Sequence, residues 1–289
     1  MINLYDEVTI VIISHKSKKK VINLINQISI DLKKIVVENS SDKTIETDLS
    51  KLNNNIKLIF SQNNGYASAI NLARTKVTTK YFFVLNPDIQ KISDKLISIF
   101  CQSAKELKDN FGALGPRFEN VNEKSHKQSN INEKYGKIES ISGAAMFFCT
   151  EIFDKNGGFD ENFFLYFEET DYCNRSNKNN FKVYQINSQK VCHDTGTSVE
   201  TFSEEESYKL KKLFRWHFIW SKFYFYKKKY GKLISLMIFT PQFLRLIFRI
   251  SLYTLNSNKE MREKYLIRYN GLMTSVKGKK SSIRINDFS

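Results

Sequence analysis

The chain has 289 residues, of which 41% are hydrophobic, and this composition is typical of a globular protein and too apolar for intrinsic disorder. Its formal net charge is +15, and residues 206–289 contain 19 basic and four acidic side chains, so the preceding part is balanced. The four scattered cysteines form no C-x-x-C pair, which favours reduced thiols in a cytoplasmic protein over disulfides or zinc. The polar N-terminus lacks a signal-peptide pattern. We predict a neutral domain over residues 1–203 and a basic segment over residues 204–289.

Apolar runs and helical spacing alternate through the first part of the chain. The runs predict strands at Val8–Ile13, Lys34–Val37, Ile56–Phe60 and Tyr81–Leu85, and the helical spacing predicts helices at Lys18–Ile30 and Ala67–Thr75. This alternation predicts an α/β fold with a mostly parallel sheet and helices on both faces. Ligands of such sheets bind beyond the carboxyl ends of the strands.

The pattern is less regular further along the chain. Residues 119–137 are polar and predict a surface loop, and another apolar run follows at Ile141–Phe148. A short helix is expected from Glu168 to about Asn177, and a further strand at Phe181–Ile186.

The tripeptide Asn86-Pro87-Asp88 ends the fourth predicted strand. A carboxylate placed there, after a turn fixed by proline, can present an oxygen to Mg²⁺ or Mn²⁺. Such a cation would neutralise a diphosphate as it leaves. The same tripeptide is also typical of a plain turn with an Asx hydrogen bond.

Three carboxylates, Glu168, Glu169 and Asp171, open the predicted helix that follows. They are candidates for a general base, and the helix N-terminus favours their ionised form. They are equally ordinary first-turn acids, and Asp171 lies four residues before Arg175, a spacing that predicts an ion pair.

Two further polar positions are candidates for ligand binding. His193 follows a predicted strand and could complete a metal site with Asp88, although a lone histidine is often structural. Asn64 and Gly65 precede a helix whose N-terminus could receive a phosphate. The surrounding sequence is neither a P-loop nor G-x-G-x-x-G, so NAD binding is unsupported.

Taken in order, these motifs resemble family 2 of the glycosyltransferases, and most of all its bacterial rhamnosyltransferase and galactofuranosyltransferase-like branch. The resemblance covers about residues 8–200. It rests on eight elements in register, namely VTIVIIS (8–14), VENSSD (37–42), Asn64-Gly65 with Asn71, LNPD (85–88), GAAM (143–146), GFDENFF (158–164), YFEETDYCNR (166–175) and His193 with Gly196 and Ser198.

The resemblance implies a GT-A-type fold, which binds a nucleotide-diphospho-sugar, and a role for each matching residue. It places Asp88 in the position of the D-x-D motif that holds Mn²⁺ or Mg²⁺, with His193 as a further metal ligand. It places the catalytic base at Glu169, with Glu168 and Asp171 as alternatives. The residues implied to bind the nucleotide-sugar are Ser14, Glu38, Asn39, Asn64, Gly65, Asn71 and Asn86.

This sequence departs from the family pattern at three of these positions. Asn86 is neutral where the D-x-D motif has its first acid, so a metal would have fewer charged ligands. Glu38 and Glu169 each stand where the family usually has aspartate, so their carboxylates reach one methylene further.

The resemblance implies an inverting transfer of a sugar from a nucleoside-diphosphate donor to a hydroxyl of a glycan or lipid-linked acceptor. The implied process is assembly of a cell-surface polysaccharide such as an O-antigen or capsule. A catalytically inactive sugar-nucleotide-binding homologue is the alternative that Glu38 and Asn86 would permit. Net charge alone favours a nucleic-acid-binding protein, but no nucleic-acid motif is present and no such partner is expected.

The basic segment has a character of its own. Aromatic and cationic side chains are interleaved over residues 208–232, as in helices that lie in a membrane interface. Residues 233–255 are largely apolar but contain Arg245 and Arg249, and each arginine costs about 2.5–3.5 kcal/mol at the centre of a spanning helix. We predict peripheral binding at the cytoplasmic face of a membrane. The alternative is that these helices pack on the catalytic domain and their cations are merely solvated.

Overall fold

The computed structural model describes residues 4–40, 42–52, 55–119, 128–194, 199 and 203–288. The chain forms two compact units. The first contains residues 1–160 and 168–200, and the second contains residues 161–167 and 201–289. The second unit therefore includes seven residues that precede Glu168 in the sequence. Ser41, Gly196 and Ser198, which contribute to the resemblance, lie outside the described residues.

The first unit is built on one mixed sheet. Its strands are β1 (Val8–Ser14), β2 (Lys33–Glu38), β3 (Ile56–Phe60), β4 (Tyr81–Leu85), β5 (Ile89–Gln90), β6 (Ala113–Phe118), β7 (Tyr135–Lys137), β8 (Ala145–Cys149) and β9 (Val183–His193). Its helices are α1 (Leu4–Glu7), α2 (Lys18–Ile25), α3 (Thr44–Ser50), α4 (Tyr66–Arg74), α5 (Asp94–Glu106), α6 (Thr150–Lys155) and α7 (Glu168–Lys178).

The strand order is β3-β2-β1-β4-β8-β6-β9-β5, with β7 paired to β9. The first four strands in this order are parallel, as the alternation of strands and helices predicts. Beyond β4 the sheet is mixed, because β8 runs antiparallel to both β4 and β6, and both β5 and β7 run antiparallel to β9. The expectation of a mostly parallel sheet therefore holds for one half of it.

Strand β1 shows why helices cover both faces of the sheet. All seven of its residues are buried, and alternate side chains enter two different clusters. Ile10 and Ile12 pack with α2 and α5, whereas Val11 and Ile13 pack with α4 and α7. A β-branched run buried on both faces is the pattern of a central parallel strand.

The structure corrects three predicted boundaries. The helix expected over Lys18–Ile30 ends at Ile25, where the chain continues in tighter turns. The expected loop 119–137 contains β7, and its residues 120–127 lie outside the described part. The last strand begins at Val183 and extends to His193, so His193 ends a strand instead of following one.

The second unit is helical. It contains α8 (Glu204–Tyr230), α9 (Lys232–Leu255), α10 (Lys259–Val276) and a 3₁₀ turn at Ile285–Asp287. Its core is made by side chains of all three helices, namely Ile219, Phe223, Phe239, Leu246 and Leu272. Gly271 allows α10 to approach α8 closely, because a Cβ there would lie 2.7 Å from the backbone oxygen of Trp216.

The segment Glu161–Phe167 packs within this helical unit. Phe163 contacts Tyr224, with ring centroids 4.9 Å apart, and the Ser221 hydroxyl donates to the Leu165 carbonyl oxygen at 2.7 Å. The ring of Phe164 stacks on His217 at 4.6 Å. Burial lowers the pKa of His217 to about 4, so this imidazole is neutral and structural.

Candidate functional site

The carboxyl ends of β1 and β2 are joined by two side chains that the family resemblance predicts to bind the nucleoside. Ser14 and Glu38 are partners in the parallel register, and the Ser14 hydroxyl donates to Glu38 Oε2 at 2.5 Å. The backbone amide of Ser40 donates to the other carboxylate oxygen at 2.9 Å. Glu38 is buried. Its side chain, one methylene longer than aspartate, is therefore held by Ser14 and Ser40 at the ends of β1 and β2.

Asn39 belongs to the same strand-end cluster. Its backbone amide donates to the Ser14 carbonyl oxygen at 2.9 Å, and its Oδ1 lies 2.9 Å from Nδ1 of His15. No motif predicts a role for His15, and its position directly after β1 is the one feature of the sequence that points to it. The structure thus brings Ser14, Glu38 and Asn39 together, and their contact with a nucleoside stays a prediction.

The loop before α4 and the helix itself place the other predicted nucleotide-binding residues. Asn64 is exposed, and Gly65 begins the helix with φ of +105°, a conformation that glycine adopts without steric cost. Asn71 lies about two helical turns after Gly65. Its side-chain Nδ2 donates to the Phe159 carbonyl oxygen at 2.9 Å, and its Oδ1 accepts from the Phe159 backbone amide at 3.0 Å. These two bonds favour a positioning role for Asn71 on the turn before α7.

Asn86 and Asp88 occupy the turn that ends β4. The backbone N–H of Asn86 donates to the Ala144 carbonyl oxygen at 2.9 Å, because antiparallel strand β8 brings that loop alongside. The buried Asp88 carboxylate has its Oδ1 3.3 Å from Nε2 of His193. His193 is the register partner of Ile89 in the β5–β9 pair. The predicted metal-binding pair, Asp88 and His193, is therefore brought together by the sheet.

The chemistry of this pair fits a divalent cation that has other ligands to complete its shell. A carboxylate suits Mg²⁺ or Mn²⁺, and imidazole suits transition metals. No group of three His, Cys, Asp or Glu side chains able to hold a metal occurs among the described residues. Magnesium sites of this kind are commonly completed by substrate phosphates and water.

Tyr66, which no motif in the sequence predicts to belong to the site, connects the β4 turn to the loop before β8. Its hydroxyl oxygen lies 2.8 Å from Asn86 Oδ1 and 2.8 Å from the Gly143 carbonyl oxygen. A phenol has one hydrogen, so both contacts are satisfied when the Asn86 amide is turned to donate and the phenol donates to Gly143. An aspartate at position 86 has no hydrogen to donate when ionised, which gives a physical reason for the neutral residue.

Burial raises the pKa of Tyr66 well above its usual value, and repulsion from Glu168, Glu169 and Asp88 raises it further. The phenol therefore stays protonated, and it lies near the acids that the family resemblance predicts to act in catalysis and metal binding. Tyr66 is the first residue of α4, directly after Gly65. This position beside a predicted nucleotide-binding glycine is the one feature of the sequence that could have pointed to Tyr66.

Glu168 and Glu169 differ in exposure although they are neighbours. Glu168 is buried, and its Oε2 has no hydrogen-bond partner in the described part of the chain. Glu169 is half-buried and borders a cavity of about 480 Å³ that Glu168 does not line. Its carboxyl carbon lies 3.8 Å from the point that a Cβ on Gly143 would occupy. Glu169 is thus the more accessible of the two acids.

The pKa values of both glutamates are raised, contrary to the expectation that the helix N-terminus favours their ionised form. Burial is the main cause for each, and repulsion from Glu169 adds to the effect on Glu168. Loss of hydration in this site outweighs the helix dipole, which contributes about 0.3–1 kcal/mol at exposed positions. A carboxylate with a raised pKa is a stronger base.

Asp171 is held in a structural ion pair. Its carboxylate accepts from Arg175 Nε at 2.9 Å, and the same guanidinium donates to the carbonyl oxygens of Asn156 and Gly158. This arrangement favours the i,i+4 alternative over a catalytic role. Arg175 instead stabilises the turn at Gly157 and Gly158, which have φ of +76° and +61°.

The backbone immediately before the two glutamates is strained. Tyr166 and Phe167 both have φ of +69°, a left-handed conformation that costs about 1–3 kcal/mol for a non-glycine residue. Strain of this kind is found most often at active sites and ligand clamps. This conformation could not be predicted from the sequence, because both positions carry bulky aromatic side chains instead of glycine.

Comparisons with known proteins identify the family of this chain. The sequence profile of glycosyl transferase family 2 matches residues 9–185, a range that contains every predicted site residue except His193. The low-salt glycan biosynthesis hexosyltransferase Agl10 of Haloferax volcanii is 24% identical over 247 residues, covering 78% of each chain.

Two solved structures illustrate the likeness in fold. S. aureus TarS residues 1–349 in complex with UDP-GlcNAc is 12% identical with a TM-score of 0.54, covering 94% of this chain and 92% of that one. GalNAc-T7 with UDP, GalNAc and Mn²⁺ is 13% identical with a TM-score of 0.55 and covers 79% of this chain. The present chain spans about half of GalNAc-T7, at 51%, and 39% of a longer TarS structure.

These structures support the GT-A fold. The profile match spans well over half of the chain and includes Asp88 and the acids Glu168, Glu169 and Asp171. The protein is a glycosyltransferase and belongs to glycosyl transferase family 2.

Proposed function

We propose that the protein transfers a hexosyl group, with inversion, from a nucleoside-diphosphate donor to a hydroxyl of a glycan or lipid-linked acceptor. The carrying observation is that Tyr66 joins the Asn86–Asp88 turn to Gly143, against which Glu169 lies. The turn proposed for the diphosphate is thereby hydrogen-bonded to the loop at Gly143, and the glutamate proposed as the base packs against that loop. The presence of UDP in TarS and GalNAc-T7 structures supports a nucleotide-sugar donor.

In this mechanism Glu169 accepts the proton of the attacking hydroxyl. The acceptor oxygen bonds to the anomeric carbon while the bond from that carbon to the diphosphate breaks, and its electron pair leaves with the nucleoside diphosphate. A single displacement inverts the anomeric configuration. Tyr66 and Asn86 orient the two sides of the site. Asp88 and His193 would hold a divalent cation, which when bound supplies positive charge to the leaving diphosphate.

A donor screen tests the proposal. Purified protein is incubated with UDP-, GDP- and dTDP-hexoses and a rhamnosyl donor, with Mn²⁺ or Mg²⁺, and release of nucleoside diphosphate is measured. We expect turnover of one donor class and, by proton NMR, a product of opposite anomeric configuration. Retention would contradict the single displacement. Nucleotide binding without turnover of any donor would favour the inactive homologue.

We also propose that the second unit binds the cytoplasmic face of a membrane, where a lipid-linked acceptor for polysaccharide assembly would lie. Helix α9 carries the supporting observation, because its outer face is apolar and exposed. The exposed side chains are Leu233, Ile234, Met237, Ile238, Leu244, Ile247, Phe248 and Leu255. Exposed apolar patches of this extent are typical of protein or membrane contacts.

Basic side chains next to this face favour an anionic lipid surface as the partner. Lys227, Lys228, Lys229 and Lys232 lie where α8 ends and α9 begins, beside the exposed Tyr230. Each cation near an anionic leaflet contributes about 1 kcal/mol. Aromatic and basic residues together are typical of interfacial helices.

Helix α9 is the one helix in the described residues that is long and apolar enough to cross a membrane by length and composition. Its inner face, however, packs on its neighbours. Phe239 contacts Phe223 of α8 at 5.1 Å, and Tyr253 stacks on Tyr265 of α10 at 5.6 Å. We propose that α9 lies on the surface with its outer face in the headgroup region, where the exposed Arg245 can reach phosphates.

Co-sedimentation with phosphatidylglycerol and phosphatidylcholine vesicles tests this binding. We expect the protein to pellet with anionic vesicles at low salt and to be partly released at high salt, because the Debye length shortens from about 10 Å at 0.1 M to about 3 Å at 1 M. Met237→Asp with Phe248→Asp should reduce pelleting at both salt concentrations. Absence of binding to anionic vesicles at low salt would contradict the proposal, and equal binding to both lipids would remove its electrostatic part.

A further inference from the structure

A cavity beside Glu169 lies entirely within the first unit. Its volume is about 480 Å³, within the range of about 300–1,000 Å³ that is usual for small-molecule sites. Glu169 and Thr170 border it on one side, and the Thr170 hydroxyl donates to Glu169 Oε1 at 3.3 Å. A ligand in this cavity would therefore be next to the carboxylate that the proposed mechanism uses as its base.

The chemistry of the walls suits a particular class of ligand. Neutral groups that both donate and accept hydrogen bonds line the cavity, including Gln128, Ser140 and Ser142, together with the apolar side chains of Phe118 and Ile138. A sugar ring presents hydroxyls at its rim and C–H groups on its faces. A wall that mixes hydroxyl and amide groups with apolar surface matches both.

Charge argues against an anionic ligand. Among the described lining residues, Lys137 is the one cation, and two carboxylates, Glu139 and Glu169, offset it. Phosphate sites in proteins are usually built from clustered arginine and lysine or from helix N-termini. The described lining has no such cluster of cations, and the one helix N-terminus that borders it, the first turn of α7, carries Glu169, whose carboxylate would repel an anion. The lining therefore favours an uncharged ligand.

Part of the wall is fixed in advance by buried amides of β9. Gln185 Oε1 accepts from the backbone amide of Ser129 at 2.7 Å and from its hydroxyl at 3.1 Å. Asn187, which lies behind the wall, donates from Nδ2 to the hydroxyl oxygen of the lining residue Ser129 at 2.9 Å. Both amides are nearly fully buried, and a wall ordered before binding lowers the entropy lost when a ligand binds.

We propose that this cavity is the acceptor site and that it takes an uncharged, hydroxyl-rich glycan unit, whose attacking hydroxyl is directed at Glu169. This inference rests on the proposed function for the role of acceptor. Binding of a glycan in the cavity can nevertheless be measured without turnover, so the two can fail separately.

The test is saturation-transfer NMR on the full chain with the methyl glycosides of glucose, galactose, mannose, rhamnose and N-acetylglucosamine, in the presence of UDP and Mg²⁺. We expect at least one glycoside to bind. Ser140→Phe, which places a ring in the cavity, should weaken that binding at least about tenfold, a factor that corresponds to about 1.4 kcal/mol. Ser50→Phe, at an exposed position at the end of α3, is the matched control.

A second variant covers the case in which Ser140→Phe fails to fold. Ser140→Cys is nearly isosteric and is blocked after folding with N-ethylmaleimide, with the parent protein treated identically. Loss of glycoside binding on blocking supports the proposal. Binding that survives blocking, binding of glucose 1-phosphate in preference to every neutral glycoside, or no binding of any glycoside would overturn it. Glycoside binding without turnover of any donor would instead contradict the proposed function.

Discussion

Replacing Glu169 with glutamine is expected to lower turnover by about 10²–10⁴, the usual loss when a general base is removed, while affinity for the nucleoside diphosphate is kept. The amide fills the same space beside Gly143 but cannot accept the acceptor's proton. In the parent enzyme the rate should rise with pH through the raised pKa of Glu169, because the base must be ionised. Steady-state kinetics across pH, with isothermal titration of the nucleotide, measures both effects.

Glu168→Gln is the matched control and should act mainly on stability. The pKa of Glu168 is raised above its ordinary value of 4.5 in the folded protein, so folding is favoured below that value and opposed as the pH rises above it. Glutamine removes this titration. The variant should therefore melt at a higher temperature than the parent near neutral pH, with the difference shrinking as the pH falls towards 4.5. A greater loss of turnover in Glu168→Gln than in Glu169→Gln would mean that the two roles are reversed.

Removal of the Asp88 carboxylate is expected to abolish metal-dependent binding of the donor. Asp88 is the charged member of the pair with His193, and Asn86 beside it contributes no charge. In isothermal titration, Asp88→Ala should bind nucleoside diphosphate equally well with Mn²⁺ and with a chelator, whereas the parent should bind more tightly with Mn²⁺.

The control for this experiment is Asp194→Ala, which removes an exposed carboxylate from the residue next to His193. Its side chain bonds to Gln90 at 2.5 Å, so its loss should leave the metal dependence intact. Circular dichroism shows whether each variant is folded. If Asp88→Ala retains the Mn²⁺ dependence of the parent, the assignment of the metal to this turn is wrong.

The sequence predicts the parallel half of the sheet well, because a buried β-branched run and a helical stripe have different periods. It predicts less beyond β4. Strands β5 and β7 have two and three residues, too short for periodicity to be recognised. The antiparallel direction of β8 depends on pairing with distant strands, which local sequence does not encode.

The same distinction applies to the site. Ser14, Glu38 and Asp88 could be nominated because polar residues at strand ends stand out in the sequence, and His193 could be paired with Asp88 through the motif order. Tyr66 could not be nominated, since its role depends on a contact with Gly143, 77 residues away. The family motif predicts Glu169, not Glu168, to be the catalytic base. The fold adds that Glu169 is also the more exposed of the two.

Because Glu161–Phe167 belongs to the helical unit, it limits where the chain can be truncated and which segments can be exchanged in a chimera. A protein ending at residue 203 would keep Phe163, Phe164 and Leu165 but lose Tyr224, His217 and Ser221, the groups they pack against. The exposed aromatic side chains would favour aggregation. A chimera that exchanges α8 between relatives would have to exchange this short segment as well. The two stretches are therefore expected to vary together in evolution, although 36 residues lie between Phe167 and the start of α8 at Glu204.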